Sequence, residues 1–208
     1  MEISFTIPIR KPFTQTYQVK ISLLGTKIWR RILVPKNYTF YDLHVAIQNA
    51  MGWTDSHLHC FEQREKGENF HKRTLVIDSP YEVELYEHKV PSFYATETPI
   101  TRIFKAIGDS IYYVYDFGDN WEHQVVLEHI IPKVPGIKYP LCVGGKLACP
   151  PEDCGGIFGY QECVDASNGK GRKELREWLD PDWGPNYFDP KKVKFQNPRK
   201  RFLETMES

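Results

Sequence analysis

Residues 113–127 read Tyr-Val-Tyr-Asp-Phe-Gly-Asp-Asn-Trp-Glu-His-Gln-Val-Val-Leu, which gathers Asp116, Asp119, Glu122 and His123 around Trp121. Two runs of alternating apolar and polar residues flank Gly118-Asp119, the pattern of a β-hairpin closed by a glycine-containing turn. With Gly118 and Asp119 as the central turn residues, Asp116 stands opposite Trp121 and Val114 opposite His123. Asp116, Trp121 and His123 then share one face, and Tyr113, Tyr115, Phe117, Glu122 and Gln124 take the other. An aspartate and a histidine beside an indole can orient an imidazole for proton transfer, ligate a metal, or satisfy each other beneath a sheet. Buried polar residues most often do the last.

Other stretches carry metal-type donors. Glu152 and Asp153 lie between Pro150-Pro151 and Gly155-Gly156, a stiff entry and a permissive exit. They suit capping of a following helix. Together with Asp116, Asp119, Glu122 and His123 they could instead form an acidic patch that holds a divalent metal for hydrolysis. His57 and His59, two apart on an expected strand, would project from one face, with His123 as a third ligand if the strands pair. Cys142, Cys149, Cys154 and Cys163 read C-x6-C-x4-C-x8-C. Structural zinc sites pair cysteines two to four residues apart, so this spacing favours buried free thiols over zinc. Lys191, Lys192, Lys194, Arg199, Lys200 and Arg201 form a basic tail that could touch nucleic-acid phosphates, although a solvated helix face is the commoner use of such a run. The chain has no Gly-rich phosphate loop, G-x-S-x-G elbow or H-E-x-x-H motif. No resident cofactor is expected beyond that candidate divalent metal.

The elements that must position these groups are short. Residues 17–34 form an expected hairpin turning at Gly25-Thr26, and Thr39 with Asp42 caps a helix whose apolar stripe is Phe40, Leu43, Ile47, Ala50 and Met51, stopped by Gly52. Strands are expected at 57–63, 73–79 and 81–87, followed by a linker at 90–97. Thr98-Pro99 opens a short helix carrying Ile100, Ile103, Phe104 and Ile107. Residues 131–159 are too rich in Pro, Gly and Cys for regular structure and too apolar for a solvated linker, so an ordered loop is expected. Helices at about 159–167 and 171–179 and short turns after Asp189-Pro190 and Asn197-Pro198 complete the chain. The class is α+β, mostly antiparallel sheet with short packed helices, and the hairpin–helix–strand order of the N-terminal half resembles a β-grasp. One domain over 1–208 is expected, divisible into lobes 1–90 and 98–208.

Twenty-seven basic residues balance 27 acidic ones, so no global field draws the chain onto nucleic acid or an anionic membrane. The N-terminus has no signal-peptide pattern and no apolar run is long enough to span a bilayer, so the expectation is a soluble, cytoplasmic protein with no membrane partner. Five cysteines in that setting read as reduced thiols.

Several motifs in order resemble the plasmid pRi ORF-three-like family, which includes passenger proteins of some insertion elements. They are Ile28-Trp29-Arg30-Arg31; Leu43 to Trp53 with His57-Leu58 and Phe61; Tyr115 to Asp119 with Trp121-Glu122-His123; Pro150 to Tyr160; and Phe188-Asp189-Pro190. The resemblance implies a small α+β protein of bacterial or archaeal type. It carries no biochemical role with it, and in its pattern the position of Cys154 is often aliphatic. Some insertion-element members bear a resolvase-like label, but this chain has neither a recombinase active-site pattern nor a helix-turn-helix reader. The leading functional reading is a non-enzymatic interaction or accessory module of plasmid or mobile genes, with a protein partner. The alternatives are a divalent-metal-dependent hydrolase and a nucleic-acid binder acting through the tail.

Overall fold

The computed structural model describes residues 12–66, 71–78 and 89–207. Eight strands form one sheet: β1 Gln15–Leu23, β2 Trp29–Pro35, β3 His59–Lys66, β4 His71–Asp78, β5 Ser92–Tyr94, β6 Ser110–Tyr115, β7 Trp121–Pro132 and β8 Leu141–Lys146. Their order is β5-β4-β3-β6-β7-β1-β2-β8, and every pairing is antiparallel except β4 with β5. With four helices, α1 Phe40–Met51, α2 Gly156–Ser167, α3 Lys173–Trp178 and α4 Pro198–Glu207, the fold is α+β. β3 does not reach β1, because β6 and β7 lie between them, so the N-terminal hairpin, helix and strand are joined through strands from the second half of the chain. No helix among the described residues is long and apolar enough to cross a membrane.

α1 begins as its sequence dictates. The Thr39 hydroxyl accepts from the Asp42 amide at 3.2 Å and the Asp42 carboxylate accepts from the Thr39 amide at 2.9 Å, a reciprocal capping box. Gly52 ends the helix at φ 95°, where its amide donates to the Gln48 carbonyl at 2.8 Å. The expected apolar stripe covers only part of what is buried: Asp42, His44 and Gln48 are buried as well. Phe40 packs on Phe61 of β3 at 4.9 Å between ring centroids, while Tyr41 packs on Phe202 of α4 at 5.4 Å. The helix is therefore covered on both sides, and its polar residues must find partners inside the protein.

Several expectations need correction. The hairpin does not turn at Gly118-Asp119 alone. Asp116 and Asn120 adopt left-handed conformations at φ 53° and 54°, the Asn120 amide donates to the Asp116 carbonyl at 2.6 Å, and residues 116–120 become a five-residue loop. Tyr115 therefore pairs with Trp121, Val114 with Glu122 and Tyr113 with His123. Tyr113, Tyr115, Trp121 and His123 face the core, whereas Asp116 leaves the strand. Residues 131–159 are not all irregular, since β7 runs to Pro132 and β8 pairs with β2. The expected linker contains β5, held to β4 by parallel pairing. The helix expected after Pro99 is a 3-10 turn over Ile100–Arg102; it buries Ile100, Ile103 and Phe104 but leaves Ile107 outside. Residues 57 and 58 precede β3 rather than belong to it. The strand expected at 81–87 lies outside the described residues. Asp189 and Asn197 do cap the two terminal turns, accepting from the amides of Lys191 and Arg199 at 2.9 Å each.

Two measurements check this architecture. Thr39→Ala removes the acceptor at the start of α1 and should lower stability by about 1 kcal/mol; an unchanged urea midpoint would show that the cap is dispensable. His123 is fully buried, and desolvation above all pulls its pKa down to about 4. An unfolded histidine takes up its proton near pH 6.5, so this stabilisation is complete above about pH 6.5 and is lost as pH falls toward 4. The loss amounts to roughly 3 kcal/mol. Burial, followed by the neighbouring His44, also holds His59 well below its ordinary pKa, in the same direction. Urea unfolding at pH 7 and pH 4.5 should show the loss, and His123→Phe should reduce it while leaving the part due to His59.

Candidate metal centre

Three loops meet beyond one end of the central strands: residues 53–58 after α1, residues 116–120 of the hairpin and residues 148–155 before α2. Polar contacts clamp them together. The Trp53 indole donates to the Pro150 carbonyl at 3.0 Å, and the Asp116 amide donates to the Leu58 carbonyl at 2.9 Å. Glu152 Oε1 accepts from the Thr54 amide at 2.8 Å, the Thr54 hydroxyl at 3.1 Å and the Tyr115 hydroxyl at 3.0 Å. The Tyr115 hydroxyl in turn accepts from the Ser56 amide at 3.1 Å. Burial and then Glu152 push the Tyr115 pKa far above its ordinary value, so the hydroxyl stays protonated and able to donate. Asp119 Oδ2 accepts from the Gly155 amide at 3.1 Å. Glycine is required at the next two contacts. A Cβ on Gly156 would lie 2.9 Å from the Asp119 carbonyl oxygen, and one on Gly159 only 1.6 Å from the Cys154 carbonyl oxygen.

This clamp sets one imidazole against two carboxylates. His57 Nε2 is 3.0 Å from Asp153 Oδ1 and 3.8 Å from Asp116 Oδ2. Asp116 Oδ1 is held by the Gly118 amide at 2.9 Å, which leaves Oδ2 for His57. One ligand atom from each of the three residues falls within 4.8 Å of the other two. Donors that share a tetrahedral ion at about 2.1 Å stand about 3.4 Å apart, so the observed separations bracket what a metal needs. Asp116 and Asp153 both occupy the left-handed region, at φ 53° and 55°. Such conformations cluster where side-chain direction is constrained by function, and Asp tolerates them better than most residues. The side chains are 28%, 10% and 69% exposed for His57, Asp116 and Asp153, so the centre opens to solvent at Asp153.

A second cluster lies deeper. Gln48 Nε2 donates to the Tyr113 hydroxyl at 2.9 Å, which directs that hydroxyl's own proton to His44 Nδ1 at 2.8 Å. His44 Nε2 therefore carries the ring proton and donates to Asp55 Oδ1 at 2.7 Å. Burial alone would raise the Asp55 pKa, but His44, His59 and Arg201 together hold it below the ordinary carboxylate value. Arg201 Nε, arriving from α4, is 3.3 Å from Asp55 Oδ2. His44, Asp55 and His59 also lie within metal-ligand reach of one another. Their geometry argues against a metal. The His44 and His59 rings stack at 3.4 Å with planes 6° apart, and an ion bound in the plane of one ring cannot lie in the plane of the other. The cluster is a hydrogen-bonded strut, and Asp55, at φ 63°, is its corner.

The remaining candidates disperse. His123 and Trp121 are wholly buried, with His123 Nδ1 at 3.2 Å from the Tyr113 carbonyl oxygen, so His123 does not join Asp116. Glu122 projects from the other face of the sheet to Arg64 at 2.6 Å, beside the Arg64–Glu62 and Arg73–Glu62 pairs. His57 and His59 part company because His57 lies before the strand. Cys142 and Cys149 belong to the main core, and Cys154 and Cys163 pack with Ala166 and Leu179. Burial raises the pKa of all four thiols. In the tail, Arg201 turns inward to Asp55, Lys200 pairs with Glu204 at 3.5 Å and Lys192 lies over the Tyr187 ring at 5.1 Å. Lys191, Lys194 and Arg199 are exposed. Sequence reading missed His44 and Asp55. His44 sits within a helix whose apolar stripe was the stronger signal, and Asp55 sits in a turn that any polar residue could fill.

Comparison with known proteins bears on the whole arrangement. A family model described as plasmid pRiA4b ORF-3-like protein matches residues 15–192. Uncharacterized protein y4hQ of Sinorhizobium fredii is 33% identical over 174 residues, which cover 83% of this chain and 82% of the relative. The crystal structure of protein of unknown function MM3350 from Methanosarcina mazei Go1 is similar at a TM-score of 0.73 and 38% identity, covering 89% of this chain and 100% of that one. The matched span includes His57, Asp116 and Asp153, and the chain belongs to the plasmid pRiA4b ORF-3-like family.

Proposed function

We propose that the chain binds a divalent cation through His57, Asp116 and Asp153 and that the bound ion serves hydrolytic chemistry. The observation that carries this reading is the convergence of one imidazole and two left-handed aspartates, from three separate loops, within 4.8 Å. One nitrogen and two oxygen donors suit zinc or manganese, and three protein ligands leave a position for water. When bound, such an ion lowers the pKa of that water into the neutral range. Asp116 would be the fixed ligand, since one of its oxygens is tied to Gly118, and Asp153 the accessible one. Glu152 and Tyr115 are positioning residues here, because they hold the loop that presents Asp153.

A second reading is an accessory module that docks on a protein partner. It is favoured by apolar side chains exposed around the same loops: Leu58 and Phe117, each next to a proposed ligand, and Phe158 at 89% exposure at the start of α2. The family's description as a plasmid reading frame supports a role alongside mobile or plasmid-borne genes, and five free thiols suit a cytoplasmic location. The third reading, nucleic-acid binding through the tail, has less support because Arg201 turns inward to Asp55 and Lys200 pairs with Glu204.

Calorimetric titration of chelator-treated protein with Zn²⁺ or Mn²⁺ should give one site per chain. Asp116→Asn and Asp153→Asn keep the backbone geometry and remove the charge; each should weaken binding by about tenfold or more. Absence of a stoichiometric site, or variants that bind as the parent does, would refute the metal centre. If metal binds but bis-p-nitrophenyl phosphate is not turned over above the free-ion rate, the hydrolytic part is withdrawn for that substrate class and the docking reading gains.

A further inference from the structure

A separate cavity of about 400 Å³ is lined by the Ala148–Glu152 segment together with Arg30, Trp53, Trp183, Tyr187 and Phe188. Arg30 is its unusual feature. The side chain is 1% exposed, and none of the carboxylates on the cavity wall forms an ion pair with it. Nε donates to the Ala50 carbonyl at 2.9 Å, and Nη1 to the carbonyls of Trp29 and Lys146 at 2.9 and 3.1 Å. The Phe188 ring lies against the guanidinium at 3.7 Å. A guanidinium has five N–H donors, and these contacts use three, so the two on Nη2 have no acceptor among the described residues. Buried charge is ordinarily paired, because leaving it desolvated and unpaired is costly.

We propose that this cavity binds a small aromatic anion, its carboxylate or phosphate meeting Arg30 and its ring lying among the aromatic walls. The volume suits a one- or two-ring compound. The indole N–H groups of Trp53 and Trp183 already donate to the carbonyls of Pro150 and Cys149, so these residues offer ring surface rather than hydrogen bonds. Lys192 and Lys194 stand on the lining and attract the anion. Of the acidic lining residues, Glu152 already accepts from Thr54 and Tyr115, Asp189 accepts from the Lys191 amide, and Asp182 interacts electrostatically with Lys192. Phe188 is seated by Gly145, where a Cβ would come within 2.2 Å of the ring. The cavity lining includes none of His57, Asp116 and Asp153.

The test uses the full chain in buffer containing a chelator, with phenyl phosphate, phenylacetate and neutral benzyl alcohol as probes. Indole N–H resonances of Trp53 and Trp183 report occupancy. At least one anion should shift both saturably at concentrations where benzyl alcohol does not, and the preferred anion identifies the ligand as phosphate or carboxylate. Lys192→Gln with Lys194→Gln should weaken binding about tenfold. Arg30→Lys, if folded by circular dichroism, should abolish it; if it does not fold, the lysine pair decides. No saturable shift, equal shifts with benzyl alcohol, or parent-like binding by the lysine double variant would overturn the proposal.

Discussion

The pairing of Tyr115 with Trp121 sets the terms for the rest of the molecule. A strand has a side-chain period of two, so moving the hairpin by one residue would exchange its core and solvent faces. In the observed register Tyr113, Tyr115, Trp121 and His123 all point at α1 and the loop beyond it, while Glu122 joins Arg64 on the far face. The same register expels Asp116 from the strand. A residue that the simplest hairpin would place opposite an indole becomes the first residue of a loop, with its carboxylate aimed at His57.

That displacement works because aspartate can adopt the left-handed conformation and stabilise its own loop by accepting from an amide two residues on. Asp55 and Asp153 also adopt it, and each places its carboxylate beside a histidine. The two resulting clusters differ in depth. In the deeper one, the parallel stack of His44 on His59 and the engagement of Asp55 by both His44 and Arg201 fix α1, the loop after it and α4 to one another. In the outer one, Asp153 is exposed and His57 Nε2 faces the carboxylates of Asp153 and Asp116.

The burial of every α1 residue but Asn49 explains why polar residues matter so much to this fold. With its outer side under Phe202 and its inner side on the sheet, Gln48 and His44 satisfy the Tyr113 hydroxyl and thereby fix its proton direction. Tyr115 performs the corresponding service one turn of the pleat away, linking Ser56 to Glu152. Two tyrosines on one strand thus carry the polar connections from the sheet to the loops that hold the candidate site.

Local rules made some of this legible. Thr39, Asp42 and Gly52 bound α1; Gly25 marks the first turn; Asp189-Pro190 and Asn197-Pro198 start the terminal turns. Each depends on groups within a few residues, and the sequence contains all of them. Cys142, Cys149 and Cys163, too, were readable as core from their spacing and apolar neighbours, whereas Cys154 is only half-buried. The hairpin register was not, because a two-residue turn and a five-residue loop fit the same alternation; what separates them is whether Asp116 has Leu58 and His57 beside it. Nor could sequence separate His57 from His59, which lie two residues apart yet belong to different clusters because the strand begins between them. Residue types and short-range spacing determined the class, the caps and the supply of donors. Which donors meet was decided only by tertiary structure, since His57, Asp116 and Asp153 are brought together by loops distant in sequence and clamped through Tyr115, Glu152 and Asp119.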